Sequence, residues 1–408
     1  MPELPEVETV ARDLRGLVVG AVITGATCSW ARTLRTHDPA TIGQALEGRT
    51  IEAVGRRAKL VVLSLSGPAV ATRSDSTIPA RSGPAVLTVH LKMTGQLFVV
   101  PASSPVDPYV RFTISFADGR ELRFRDIRKF GRIGLYGLDH ATGEAVVEDG
   151  GAAVFAGFGP EPLEDAFTLR VFRTRLRGRR GRLKPLLLDQ SFIAGVGNIY
   201  ADETLWAARL HPLRSAATLR PPDERRLYHE IRRILAEAVE RRGSSIDDYT
   251  APDGDGAMQE HLLVYQRAGE SCARCTRPIR RIVVGARATH FCTWCQRLAA
   301  VDRKGAATIL RGISPQPGTR RRAGTGSSGP AGAGRRGRRW TELDGPDALG
   351  RTTAEAAAAQ VRVRARAERT RRAAASRRAA ARNAAGDGAP VVGRGDHPPV
   401  PAATEGRR

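Results

Sequence analysis

Lysine is almost missing from this chain. Only Lys59, Lys92, Lys129, Lys184 and Lys304 occur among 65 basic residues. Each marks a position where a compact ammonium is kept in place of a guanidinium fork. Long apolar runs are missing as well. Nothing approaches the roughly 18 consecutive apolar residues of a membrane-spanning helix. The first residues, "MPELPEVETV", lack the charged start and apolar stretch of a secretory signal. Aromatic residues are scarce at 5%, and beyond residue 303 Trp340 is the only one. A stretch with so little to bury cannot offset the entropy of ordering, so residues 298–408 are expected to form a disordered Arg/Ala/Gly-rich basic tail.

What the chain has in excess is positive charge, formally +23. Residues 303–408 hold 23 Lys and Arg against 8 Asp and Glu, a net of +15. Such a balance points to an anionic polymer as partner, nucleic acid first. The remaining length is enough for two or three domains. Residues 1–137 begin with an amphipathic helix, "EVETVARDLRGLV". They continue as strands, "AKLVVLSL", "VLTVHLKM", "RFTISFADG" and "ELRFRDIRKFGRIGLYGL", with "FADG" as a hairpin turn. From about residue 160 to 242 the period is helical, and 243–262 reads as a polar, glycine-rich loop. "SGPAV" occurs at 66–70 and again at 82–86, which reads as an insertion looped out between two strands.

Two patterns carry chemistry. Cys272, Cys275, Cys292 and Cys295 form two C-x2-C pairs sixteen residues apart. Four thiolates at that spacing can close a tetrahedral zinc site. Two disulfides are the alternative, disfavoured without a secretory signal. The segment between the pairs reads as a β-hairpin turning at Gly285, with almost no core of its own, so that the metal would hold it folded. Cys28 stands apart and reads as a small buried hydrophobe. The second pattern is "LLDQSFIAGVGNIYADE" at 187–203. Gly195 and Gly197 would let the backbone approach another group closely, and Asn198 stands where the N-cap of a following helix belongs. Such a helix start is an anion site.

Read in order, "PELPEVE", "GRRAK" at 55–59, "HLKMTG" at 90–95, "RDIRKFG" at 125–131, the 187–203 string and the four-cysteine finger resemble the formamidopyrimidine-DNA glycosylase family over roughly residues 2–297. The resemblance implies an α+β multidomain fold. Its expected parts are an N-terminal β-sandwich flanked by helices (1–150), a helical domain with a helix–two-turn–helix (151–262), a C-terminal β-hairpin zinc finger (263–297) and the tail. It implies a bifunctional glycosylase and abasic-site lyase for oxidised purines, acting on damaged double-stranded DNA as a cytoplasmic monomer with one structural Zn2+ and no membrane partner.

The resemblance also implies roles. With Met1 removed, Pro2 becomes a secondary-amine nucleophile. Its amine is far more often free base at neutral pH than a lysine, and its iminium with the sugar C1′ is an electron sink. Glu3 is the general acid–base, Glu6 a supporting group, Lys59 the catalytic lysine, and Arg287 a catalytic cation presented by the finger that also brackets the backbone phosphates. Met93, Arg128 and Phe130 would fill the gap left by a flipped-out nucleotide. His90, Lys184 and Asn198 would bracket backbone phosphates, and the 243–262 loop would close over the lesion. Gln266 replaces a usual glycine, with only a small local change in packing expected. The alternatives are an endonuclease VIII-like enzyme for oxidised pyrimidines and a damaged-DNA-binding protein without catalysis.

Overall fold

The computed structural model describes residues 1–67, 83–139, 141–146, 153–244 and 256–310. Most of the insertion (68–82), the centre of the expected lesion-closing loop (245–255) and residues 311–408 of the expected tail lie outside the described residues.

Helix α1 (Leu4–Val18) places Val7, Val10, Ala11, Leu14 and Val18 on one buried stripe at helical spacing. That stripe faces a sandwich of two antiparallel sheets. The first sheet orders its strands β1 (Ile23–Cys28), β6 (Val110–Phe116), β7 (Arg120–Asp126) and β5 (Gly95–Pro101). The second runs β2 (Ile51–Arg57), β3 (Leu60–Leu65), β4 (Ala85–His90), β8 (Arg132–Leu138) and β9 (Ala145–Val146). A short helix, α2 (Ile42–Leu46), covers β1. Strand β3 alternates in burial, and its Val61, Leu63 and Leu65 enter one core with Phe112, Ile114, Leu122 and Phe124 of the opposite sheet.

Two features of this sandwich position the site. The turn between β2 and β3 carries Ala58 in the left-handed region (φ 53°), immediately before Lys59. The long stretch "ELRFRDIRKFGRIGLYGL" is broken into β7 and β8 by a turn over 127–131. The buried Asp126 carboxylate holds that turn, accepting from Arg128 N–H (3.2 Å) and Gly131 N–H (2.7 Å). It also accepts from the Thr94 hydroxyl (2.5 Å), which ties this turn to the one carrying Met93. The insertion is closed at its base by the Arg49 guanidinium, which donates to the carbonyls of Ser66 and Gly83 (both 2.8 Å).

The helical part comprises α3 (Leu169–Leu176), α4 (Leu183–Leu188), α5 (Asn198–Ala207) and α6 (Pro221–Glu240). The finger follows as a hairpin of β10 (Arg280–Val284) and β11 (Arg287–Phe291). Gly285 and Ala286 at its turn are both left-handed, as a two-residue type I′ turn requires. The finger has little core of its own and shares that of the helical part: Cys272, Ile279 and Cys292 belong to the same buried cluster as Trp206, Leu210, Ile231 and Leu235. One expectation is corrected here: the stretch assigned to the tail from 298 onward begins with a helix, α7 (Ala300–Leu310). Its Ala306, with Leu298, packs on Ile282, Val284 and Phe291 of the finger and on Leu213. Asp302 of α7 accepts from Ser215 N–H (3.3 Å) and the Thr218 hydroxyl (3.0 Å), and Arg182 donates to Gly305 O. The small apolar face of α7 is legible only once the finger surface that receives it is in view.

Candidate active site

The N-terminal segment runs from the sandwich into the helical part. Leu4 N–H donates to Gly195 O (3.0 Å), and Pro2 and Glu3 are buried. Glu3 precedes α1, and its N–H donates to Glu6 Oε2 (2.8 Å), the reach-back half of a capping box. The Glu3 carboxylate goes elsewhere. It accepts from Ile199 N–H (2.8 Å) and Tyr200 N–H (3.4 Å) at the start of α5. The anion site expected at this helix start therefore exists, and a carboxylate of the chain itself fills it. Gly197 makes this possible, since a Cβ there would lie 2.3 Å from the Glu3 carboxyl carbon. Gly197, not Asn198, is the N-cap of α5. Asn198 is the first helical residue, and its buried Oδ1 has no hydrogen-bond partner among the described residues.

Glu6 is a hub. Its Oε1 accepts from the Tyr200 hydroxyl (2.6 Å), Ser244 N–H (2.8 Å) and the Ser244 hydroxyl (3.1 Å). It thereby ties α1 to α5 and to the first residues of the 243–262 loop. Lys59 is buried within charge range of Glu3 and Glu6. Glu161 orients the turn that carries it, accepting from Ala58 N–H (2.7 Å) and Arg57 (2.6 Å) and pairing with Arg56 (2.6 Å). Burial pushes the Glu3 carboxyl up, against the opposing pull of Lys59, while Glu6 adds to the rise. Burial likewise pushes the Lys59 ammonium down, against Glu3 and Glu6. Both members of the pair move toward neutrality, which is the condition for exchanging protons with a bound molecule.

Around this centre the remaining predicted residues fall into two groups. Those open to a ligand are Arg128 and Phe130, both exposed with the guanidinium 5.0 Å above the ring, and Met93, half-buried on the neighbouring turn. Arg287 is exposed at the finger's tip, within charge range of Lys59. His90 ends β4, and its Nδ1 accepts from Lys92 N–H (3.1 Å), which leaves the proton on Nε2. Burial first, then Lys92, Lys59 and Arg132, drives its pKa down to about 3, so His90 is a neutral donor at physiological pH. Lys184 corrects the expectation of a phosphate contact. It is fully buried, and its ammonium is held by Asp202 Oδ1 (2.6 Å) and Ala288 O (2.9 Å). It links α4 to α5 and to β11.

Several residues escaped the sequence reading. Asp202 also receives His290 N–H (2.9 Å), and Glu203 accepts from Leu263, Val264 and Tyr265 N–H (2.9, 2.9 and 2.8 Å). This adjacent acidic pair pins the finger to α5. Asp126, Glu161 and Tyr200 act in the same indirect way. The available signal was acid inside an apolar context, "NIYADETLW" and "GPEPL". Gln266 proves to sit in the left-handed region (φ 58°), the backbone reason a glycine suits this position.

The four finger cysteines bring their Sγ atoms within 4.8 Å of one another, with Cys272–Cys295 at 3.9 Å and Cys275–Cys292 at 3.5 Å. Tetrahedral thiolates about 2.3 Å from a zinc ion would be roughly 3.8 Å apart, so the donor set fits one structural Zn2+.

A sandwich, a helix–two-turn–helix part and a four-cysteine finger around a buried carboxyl–lysine pair define a zinc-finger DNA glycosylase of base excision repair. Residues 1–133 match the formamidopyrimidine-DNA glycosylase N-terminal domain, 158–250 its H2TH domain, and 269–298 the zinc finger found in FPG and IleRS. The formamidopyrimidine-DNA glycosylase of Chloroflexus aurantiacus is 45% identical over 72% of this chain and 98% of its own length. That of Herpetosiphon aurantiacus is 43% identical over 72% and 100%. Among solved structures, Lactococcus lactis Fpg in complex with abasic-site DNA is 33% identical and covers 72% of this chain and 99% of its own (TM-score 0.60). MutM from Thermus thermophilus is 38% identical and covers 73% and 100% (TM-score 0.60). The chain belongs to the formamidopyrimidine-DNA glycosylase family.

Proposed function

We propose that this enzyme removes oxidised purines from duplex DNA and cleaves the resulting abasic strand through a covalent intermediate on Pro2. The observation that carries the reading is the buried Glu3 carboxyl beside Pro2, held on the α5 N-terminus with its proton affinity raised. Once Met1 is removed, the Pro2 nitrogen is a secondary amine. Its lone pair attacks the sugar C1′ as the C1′–N bond to the base breaks; the base leaves with the bonding pair and takes up, by way of solvent, the proton that the Pro2 nitrogen then sheds. Glu3 gives its proton to the ring oxygen, which opens the sugar and leaves an iminium between Pro2 and C1′. That cation accepts the electrons released when a C2′ proton is removed, and the 3′ and then the 5′ phosphate depart by β,δ-elimination. Water finally frees the amine.

Lys59 and Arg287 supply positive charge for the flanking phosphate, and His90 a neutral N–H. Asn198 would donate its side-chain amide N–H to a backbone phosphate, whose oxygens accept; its buried Oδ1 has no partner among the described residues. Met93, Arg128 and Phe130 fill the emptied stack, and the Asp126–Thr94 bond makes their two turns one unit. Zinc would hold the finger that presents Arg287; it supplies no step. The same reading takes the enzyme as a monomer working in the cytoplasm. No helix among the described residues is long and apolar enough to cross a membrane.

Borohydride trapping tests the reading. Chain with Met1 removed is expected to be trapped on duplex carrying 8-oxoguanine. Chain with an extra residue ahead of Pro2, verified by mass, is expected to bind that duplex without being trapped. Trapping of the extended chain at an undiminished rate rejects Pro2, and preferential trapping on thymine glycol favours the pyrimidine enzyme.

A further inference from the structure

At the end of α5 remote from Glu3 lies a second cluster that the glycosylase reaction does not use. Helix α5 is ten residues long, so its two ends stand about 15 Å apart. Its N-terminus holds the Glu3 carboxylate. Its C-terminus is capped by Arg274, which donates to the carbonyls of Trp206 (2.5 Å) and Ala207 (3.1 Å) and lies over the Trp206 ring. Beside it opens a concavity of about 410 Å³, lined by Arg209, Arg274, Cys275, Trp294, Cys295 and Arg297. Trp294 is 48% exposed, on the knuckle between two zinc-binding cysteines. The guanidinium of Arg277 sits 3.4 Å from its ring centroid and that of Arg297 4.1 Å. Arg209, Arg277 and Arg297 are exposed, and their guanidiniums have no hydrogen-bond or ion-pair partner among the described residues.

Structural demand accounts for only part of this charge. Four thiolates around Zn2+ carry a net charge of −2. Against it stand the three arginines not engaged by α5, so a surplus of about +1 remains. Guanidiniums stacked on an indole have already lost much of their freedom, and each keeps its N–H fork in the plane, where a carboxylate binds in bidentate fashion. The tryptophan wall adds an apolar contact that a bare anion site would not need. The size of the concavity is that of a pocket for one or two side chains, within the roughly 300–1,000 Å³ of ordinary ligand sites.

We propose that this pocket is a docking site for an acidic peptide segment of a partner protein, carrying two or more carboxylates next to one apolar side chain. The carboxylates pair with Arg209 and Arg297, and the apolar side chain rests against the exposed edge of the Trp294 indole, whose faces the Arg277 and Arg297 guanidiniums cover.

The zinc-loaded full-length protein is titrated into a fluorescein-labelled peptide of five aspartates ending in phenylalanine, followed by anisotropy. Binding that weakens with salt, and that falls at least tenfold in the double variant Arg209→Glu, Arg297→Glu, is expected. Excision from lesion duplex should be unchanged in that variant, which also reports that it is folded. Trp294→Thr should weaken binding of this peptide more than that of a peptide ending in glycine. Equal binding by wild type and charge-reversed protein overturns the proposal. So does displacement of the peptide by stoichiometric lesion duplex, which would put it in the DNA cleft. Loss of single-stranded oligonucleotide binding in the variant, with peptide binding retained, would identify the pocket as a nucleic-acid contact and equally reject it.

Discussion

At the scale of residues, the centre of the site is a conflict kept in place by its surroundings. Glu3 and Lys59 are buried together, and burial moves each toward its neutral form. Because the folded-state pKa of Glu3 is raised, its contribution to stability is complete below the ordinary carboxylate pKa and is lost as pH rises through the folded value. Lys59 restrains that rise. Lys59→Met should therefore push the Glu3 carboxyl higher still and extend its loss of stability toward neutral pH. Urea unfolding at intervals between pH 5 and 8 should show the variant losing about 1 kcal/mol more than wild type across the window, since a tenfold change in proton affinity corresponds to about 1.4 kcal/mol. Parallel stability profiles would show that the two groups do not sense each other. Glycosylase turnover in the same variant should fall by about a hundredfold or more, the lower end of the range for loss of an acid–base partner.

At the scale of elements, the sequence revealed what local pattern determines. Strands alternated, the finger hairpin turned at a glycine, and α1 showed its apolar stripe. What it hid depends on partners far along the chain. Asn198 had every local mark of an N-cap, yet the α5 N-terminus is met by a carboxylate from residue 3, which Gly197 alone admits. Lys184 resembled a phosphate ligand until Asp202 and the Ala288 carbonyl closed around it. The residues proposed to act on the sugar and in the emptied stack were noticed because they lie within contiguous motifs. Their supports, Asp126 and Glu161, were not, since the groups each one holds, Thr94 for Asp126 and Arg56, Arg57 and Ala58 for Glu161, lie about 30 and 100 residues away in the chain.

The shared core of α5, α6 and the finger has a measurable consequence. Cys292→Ser should release zinc and unseat Cys272, Ile279 and Cys292 from the cluster that contains Trp206 and Ile231. It should also leave Glu203, now bonded to three backbone N–H groups of the finger's approach, as a stranded buried carboxylate. Amide hydrogen exchange in α5 and α6 should accelerate by about tenfold or more, some 1.4 kcal/mol, while β2, β3 and β4 keep their protection. Unchanged exchange in α5 and α6 after zinc loss would mean that the helical part closes its core without the finger.

At the scale of the whole molecule, catalytic body and charge are separated along the chain. The two curated relatives align over 298 residues that span 98% or more of their own lengths, so the last hundred or so residues have no counterpart in them. Residues 311–408 contain 21 arginines and 8 acidic residues, a net of +13 out of +23. Arginine clusters such as "RRGRR" and "RRAAASRR" displace counterions from DNA without reading sequence. Joined to a catalytic body, they raise the local concentration of duplex around it. The expected role is therefore in search rather than chemistry. A chain ending at Leu310 retains α7 on the finger and tests this cleanly. Single-turnover excision at saturating enzyme should equal that of the full chain. Affinity for undamaged duplex should drop several-fold near 0.1 M salt, and the slope of log K against log salt should become shallower by about 0.9 for every phosphate contact given up. If affinity and slope are the same with and without residues 311–408, the arginine-rich segment does not act on DNA, and the search falls to the +10 of the first 310 residues alone.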